Sequence, residues 1–267
     1  MANSILLGQY TETNSIFHLL DPRTKLLSMI MIMASFLLLD SFISYAAATI
    51  LVMVLIFLTK IPLRIFVRGL RPLLFILMFT FIYHAMLTQG TAIWSWEMFR
   101  VTAEGLQNGT RYVLRIILLV LLASLLTLTT KPLSLAHGLE KLLAPLSKLN
   151  LPVEQFALMI VIAIRFVPTI TQELDRILLA QKARGYDIAN FNPVKRIFAY
   201  IPILVPLLFT TIQRAEQLTL AIDARAFGDG KGRTVYVRLG FKPMDFAVIG
   251  TAAAFPIILM LLKMEGI

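Results

Sequence analysis

The stretch Leu26-Leu-Ser-Met-Ile-Met-Ile-Met-Ala-Ser-Phe-Leu-Leu-Leu-Asp40-Ser-Phe-Ile-Ser-Tyr-Ala-Ala-Ala-Thr-Ile-Leu-Val-Met-Val-Leu-Ile-Phe-Leu58 carries one charge, Asp40. A hydrocarbon layer about 30 Å thick is crossed by about 20 apolar residues in a helix. This run is too long for one crossing. It reads as a helical hairpin turning near Asp40 to Ser44, with two short arms; a single long tilted helix is the alternative. Asp21-Pro22 ahead of it is a helix start, because Asp can accept from free N–H groups and Pro is welcome in the first turn.

The rest of the chain agrees with a bilayer setting. Of 267 residues, 58% are hydrophobic and only 15% are charged, against about 25% charged in a soluble domain. The mean hydropathy is +0.81. This excludes a disordered chain, a nucleic-acid-binding domain with a polar surface, and almost any soluble enzyme of this size. With no cysteine, disulfides, thiolate metal sites, Cys nucleophiles and Cys lipidation drop out. Met1 to Ser15 has neither a basic residue nor an apolar core and reads as a short polar tail, not a secretory signal.

Working outward, Lys60, Arg64, Arg68 and Arg71 form a basic loop, and Pro72 opens a third span to about Thr88. Gln89 to Gln107 is polar and holds Trp94 and Trp96, the only tryptophans, as expected at a membrane boundary. A fourth span runs from about Arg111 to Thr130, with Arg111 and Arg115 reaching back to the interface. A last span covers Met244 to Leu262. The predicted fold is therefore all-α and polytopic, with about five transmembrane helices. Residues 1–130 hold the tail and four spans, 131–242 form a cytoplasmic or membrane-surface coupling module, and 243–267 hold the fifth span. Residues 1–25, 60–71 and 131–242 carry 21 of the 25 Lys and Arg residues. The excess of cations in cytoplasmic loops then places the N-terminus inside and the C-terminus outside.

The 131–242 block has fifteen bases and eight acids, a net of +7 of the chain's +10. It holds two long helical patterns, Pro152 to about Ala189 and Pro193 to about Phe227. Each begins apolar and ends amphipathic. The apolar halves, Phe156 to Ile164 and Ile201 to Phe209, are too short to span and too oily for water, so they are expected at the inner membrane surface, bent by Pro168, Pro202 and Pro206.

The two helix ends repeat each other at an offset of 41. Ile177, Leu179, Ala180, Ala183, Arg184 and Tyr186 align with Leu218, Leu220, Ala221, Ala224, Arg225 and Phe227. An Arg in a last helical turn can simply answer the helix dipole, for about 0.3–1 kcal/mol. Two of them, each between small neighbours, point further. Ala183-Arg184-Gly185 and Ala224-Arg225-Ala226 leave each guanidinium clear to enter a partner's groove, where carboxylates or carbonyls can hold its fork of donors. Two equivalent ends imply two equivalent partners, a dimer or a pseudo-symmetric heterodimer.

These residues resemble the transmembrane T component of energy-coupling factor (ECF) transporters, a branch of the ABC transporters importing vitamins and transition metals. The resemblance covers nearly the whole chain. It rests on Leu20-Asp-Pro-Arg-Thr-Lys-Leu-Leu27, Gln181-Lys-Ala-Arg-Gly-Tyr-Asp187, and the second Ala-Arg end running into Gly228-Asp-Gly-Lys-Gly-Arg-Thr234. The second copy departs from the family in having Ala226 where Gly or Ser is more frequent. The resemblance implies a scaffold in the bacterial cell membrane joining two cytoplasmic ATPases to a substrate-binding S subunit, with Arg184 and Arg225 in grooves of the ATPases. Its length and opening motif look more like the shared T component, which serves several S subunits, than the dedicated cobalt or biotin versions.

Other signals weigh less. Glu173, Asp175 and Arg176, and Arg214 with Glu216, read as a solvated or partner-facing surface. His137 and Glu140 are two ligands without a third. His84 falls near the outer end of its span. Gly228, Gly230, Lys231 and Gly232 lack P-loop spacing and a preceding strand, so ATP hydrolysis is expected from other chains. No cofactor, metal or nucleic acid is expected. The competing functions are a self-contained secondary transporter, which would show ionisable residues at mid-membrane and broken helices, a conventional ABC permease, and an intramembrane enzyme, whose catalytic set is not present within the spans.

Overall fold

The computed structural model describes residues 10–11, 13, 15–96, 99–145, 153–186, 198–226 and 240–264. Most of the expected N-terminal tail, the start of the second long pattern at Pro193, Phe227 and the Gly228–Thr234 motif lie outside the described residues. So does the expected boundary placement of the Trp94 and Trp96 rings. The chain divides into two compact units, residues 1–157 with 239–267, and residues 158–238.

The first unit opens with α1 (Ile16–Leu19) and α2 (Pro22–Ser35), continued by a 3-10 turn, Phe36–Leu38. The Asp21 carboxylate accepts from the Arg23 N–H at 2.9 Å, as an N-cap does. The chain turns at 39–41, and the Ser41 hydroxyl accepts from the Ile43 N–H to start α3 (Phe42–Thr59). The expected hairpin is therefore present. Its arms nevertheless pack mainly on other helices: α2 on α6 (Ala103–Thr129), α7 (Pro132–Leu143) and α10 (Pro243–Met264), and α3 on α6.

The basic segment after Lys60 is not a loop. Leu63–Leu70 is a helix, α4, and a 3-10 turn at Arg71–Leu73 carries it into α5 (Leu74–Leu87). Pro72 sits in that turn, where its missing N–H costs little. The polar segment after α5 also differs from expectation. It contains an antiparallel hairpin of β1 (Ala92–Trp96) and β2 (Phe99–Thr102), with Trp94 opposite Val101 and Trp96 opposite Phe99.

α5 and α6 form the most extensive helix pair. Two glycines let them approach: a Cβ at Gly105 would lie 2.7 Å from the His84 carbonyl oxygen, and one at Gly109 3.2 Å from Phe81. Close packing through small residues is what joins helices in lipid, where neighbouring tails are as apolar as Leu. The core of this unit is built from Phe36, Val52, Ile56, Phe66, Leu122 and Leu259, among others, each at most 1% exposed. Its outer surface is apolar as well, with Phe75 73% exposed and Leu37 71%. A chain with that surface has lipid as its solvent.

Among the described residues, five helices are long and apolar enough to cross a membrane: α3, Leu63–Leu87, α6, Gln155–Ala183 and α10. The number matches the expectation and the membership does not. α2 has only 14 residues, because the backbone tightens into the 3-10 turn at Phe36. In its place stands most of α8 (Val153–Ala183), whose helix runs unbroken through Pro168.

The second unit contains most of α8 together with α9 (Ile201–Ala224). Pro206 lies inside α9, whereas Pro202 is in its first turn and so opens the helix instead of bending it. The two helices run in opposite senses: Gln181 meets Pro202 through an Nε2–H donating to the carbonyl at 3.2 Å, and Glu173 meets Arg214 at 3.3 Å.

Candidate functional site

α8 ends at Ala183 with Arg184 as the capping residue. Gly185 follows at φ +80°, in the left-handed region where a residue without Cβ is at ease. The Tyr186 N–H donates to the Gln181 carbonyl at 3.0 Å, and the Gly185 N–H to the Lys182 carbonyl at 3.0 Å. This pair of bonds is the Schellman closure, which satisfies carbonyls otherwise orphaned at a helix end. It also reverses the chain and leaves Ala183, Arg184 and Gly185 exposed at the tip.

α9 ends with the counterpart of the Gly185 bond. Arg225 caps the helix, Ala226 takes φ +50°, and its N–H donates to the Asp223 carbonyl at 2.9 Å. Ala224, Arg225 and Ala226 are all exposed. The sequence repeat is thus a repeat of backbone geometry. A cation at each last turn still complements the dipole, but neither guanidinium makes an ion pair among the described residues. Both side chains stand exposed.

The two arms are joined at a point the repeat defines. Glu173 and Arg214 are 41 residues apart, the repeat offset, and their carboxylate and guanidinium lie 3.3 Å from each other. Arg176 approaches the same Glu173 oxygen at 3.8 Å. Glu173 and Arg214 thus join the arms to each other, where composition alone read them as a solvated or partner-facing surface. Each arm then continues eleven residues to its terminal Arg, about 16 Å of helix. The Tyr186 hydroxyl adds a third tie by donating to the Ala199 carbonyl at 3.1 Å.

Two residues were aligned in the repeat without being recognised as surface features. Leu179 and Leu220 are 68% and 69% exposed. Such matched exposure of a large apolar side chain near each Arg gives both tips an oily contact as well as a cation. Asp245 had no sequence signal beyond its place just after Pro243. It is fully buried, accepting from the Asp21 N–H at 3.0 Å and the Lys242 N–H at 2.7 Å. Buried Lys25 lies in its field and donates to the Thr129 carbonyl at 3.1 Å. This node belongs to the first unit and joins the beginnings of α2 and α10 to the end of α6. Among the described residues no three His, Asp or Glu side chains come together to hold a metal.

Comparison with known proteins identifies the family. The family described as CbiQ, cobalt transport protein, matches residues 13–236. The energy-coupling factor transporter transmembrane protein EcfT of Bacillus subtilis (strain 168) is 38% identical over 265 residues, 98% of this chain and 100% of that protein. Its counterpart from Ruminiclostridium cellulolyticum is 37% identical over 255 residues, 96% of each chain. That from Staphylococcus aureus is 37% identical over 268 residues, the full length of both. A multi-span helical chain with this breadth of identity belongs to the EcfT family of transmembrane components of energy-coupling factor transporters.

Proposed function

We propose that this chain is the subunit through which two ATPases, acting as a pseudo-symmetric pair, drive a substrate-binding S subunit in the bacterial cell membrane for uptake of a vitamin or other micronutrient. The observation that carries the proposal is the pair of matching helix tips, each presenting an exposed Arg, without an ion pair among the described residues, beside a left-handed residue. Arg184 and Arg225 enter grooves of the two ATPases, with Ala183 and Gly185, and Ala224 and Ala226, keeping the approach free of bulk. ATP is hydrolysed by those partners. Because the arms are tied at Glu173 and Arg214, a change in spacing between the ATPases turns one arm against the other. The apolar half of each arm then meets the S subunit. The 131–242 block and the N-terminus face the cytoplasm in this scheme, and the C-terminus faces outward.

The test is the double variant R184A/R225A in the assembled transporter. Copies of the variant should reach the membrane at normal levels but lose the ATPase subunits on purification, and uptake should fall to background. Unchanged uptake and normal ATPase recovery would remove these two residues from the docking role.

A further inference from the structure

We infer that the exposed arginine stripe of α4 binds the headgroup of an anionic phospholipid, whose acyl chains lie along the apolar face of α5. Arg64 and Arg68 in α4, and Arg71, which caps it in a helical conformation, occupy positions i, i+4 and i+7, so they fall on one side, and all three are exposed. On the opposite side Phe66, 1% exposed, fixes α4 to the core. No acidic residue occurs between Asp40 and Glu97, and none of the three makes an ion pair among the described residues. Three cations thus share one face with no carboxylate paired to them among the described residues.

The surface next to them supplies the second half of the argument. The Arg71–Leu73 turn carries α4 into α5 without a gap, and there Phe75, Met78 and Phe79 are 73%, 59% and 61% exposed. Read along the helix, three guanidinium groups are followed directly by an oily face. A phospholipid has the same order, phosphate first and hydrocarbon after. Leu63 and Val67, 40% and 57% exposed, flank the arginines, as side chains do where an amphipathic helix lies at the headgroup boundary. The Arg fork matches phosphate oxygens in two-point contact, which a Lys ammonium does not. An anionic leaflet holds each such cation with about five-fold gain in affinity. The inference needs only a bilayer and stands apart from the docking role of Arg184 and Arg225.

The experiment uses the full chain in nanodiscs of phosphatidylcholine with a minor fraction of phosphatidylglycerol, followed by mass spectrometry of the lipids retained on extraction. Wild type should retain phosphatidylglycerol in preference to phosphatidylcholine. R64Q/R68Q/R71Q should lower that preference by about ten-fold or more, whereas K141Q/R165Q/R176Q, with the same change in net charge, should keep it. Equal loss in both triple variants would reduce the effect to general charge and overturn the site, as would no loss in either. Should the triple variant elute as aggregate, R64Q, R68Q and R71Q are read singly, each expected to weaken the preference by about five-fold; no change in any of them overturns the site. Val67→Cys carrying a photo-crosslinker, in the assembled transporter, should capture lipid. Capture of a protein subunit there instead would assign the stripe to that subunit and end the lipid proposal.

Discussion

At the left-handed residue the two helix tips differ by one methyl group. Gly185 sits at φ +80° and Ala226 at φ +50°, and only glycine reaches that region without its Cβ crowding the backbone. A Cβ placed on Gly185 would meet nothing within 4 Å, so the cost of a side chain there is conformational alone. Two opposite effects follow. Ala226→Gly should stabilise the α9 tip by about 1 kcal/mol, and Gly185→Ala should destabilise the α8 tip by a similar amount. Hydrogen exchange of the amides at 183–186 and 224–226 would register both, and a null result at Ala226 would mean its backbone does not hold the left-handed turn in the membrane. If the tips dock, G185A should also weaken ATPase recovery without removing a charge.

Elements show what the sequence could and could not disclose. The hairpin at Asp40, the Asp21-Pro22 start and the two long arms were legible because each depends on local chemistry: a charge in an oily run, a cap, an apolar-to-amphipathic gradient. The Arg tips were legible because they occur twice. The α4 segment reads as a loop in sequence because four cations in twelve residues look like solvent-exposed connection, and only the burial of Phe66 shows a helix anchored to its neighbours. The β-hairpin after α5 depends on cross-strand pairing, and no turn residue announced it. Asp245 was out of reach for the same reason. Its partners Asp21 and Lys25 are more than 200 residues away in sequence. It behaves as the third residue of α10 reaching back to the Lys242 N–H, as in a capping box, while its other oxygen caps the chain ahead of α2. Removing it strands two N–H groups and leaves Asp21 as the one carboxylate acting on Lys25 among the described residues. Asp245→Ala should therefore destabilise the fold by about 2–5 kcal/mol, the cost of leaving two backbone N–H donors without their acceptor. A fall in thermal midpoint of the detergent-purified chain would measure it. A midpoint within a degree of wild type would mean water reaches this node.

At the scale of the whole molecule the question is which helices cross. Counted by length and composition, α8 crosses and α2 does not; the geometry of the first unit argues otherwise. Asp245, at the start of α10, bonds the chain at the start of α2, and Lys263, at the end of α10, bonds Asp40 just past the end of α2 at 2.5 Å. Helices α2 and α10 therefore run parallel, with their beginnings on one side. With its 3-10 turn, α2 spans about 27 Å, close to a hydrocarbon core that can thin locally to meet it. Lys25 at the start of α2 also touches the end of α6 through the Thr129 carbonyl, so residues 130–242 begin and end at the same level. A crossing by α8 would have to be undone before α10 begins, yet α9 is not among the helices apolar enough to do so. We therefore expect the crossings to be α2, α3, Leu63–Leu87, α6 and α10, and α8 not to cross. Because the chain has no cysteine, single additions report directly. K141C and E216C, on either side of the apolar part of α8, should react with a membrane-impermeant maleimide only after cells are permeabilised, and Q89C should react in intact cells. Reaction of K141C and E216C from opposite sides would place α8 across the bilayer and make the number of crossings even. Reaction of both from outside, with Q89C protected, would keep the five crossings and invert the whole molecule, against the distribution of its 25 cations.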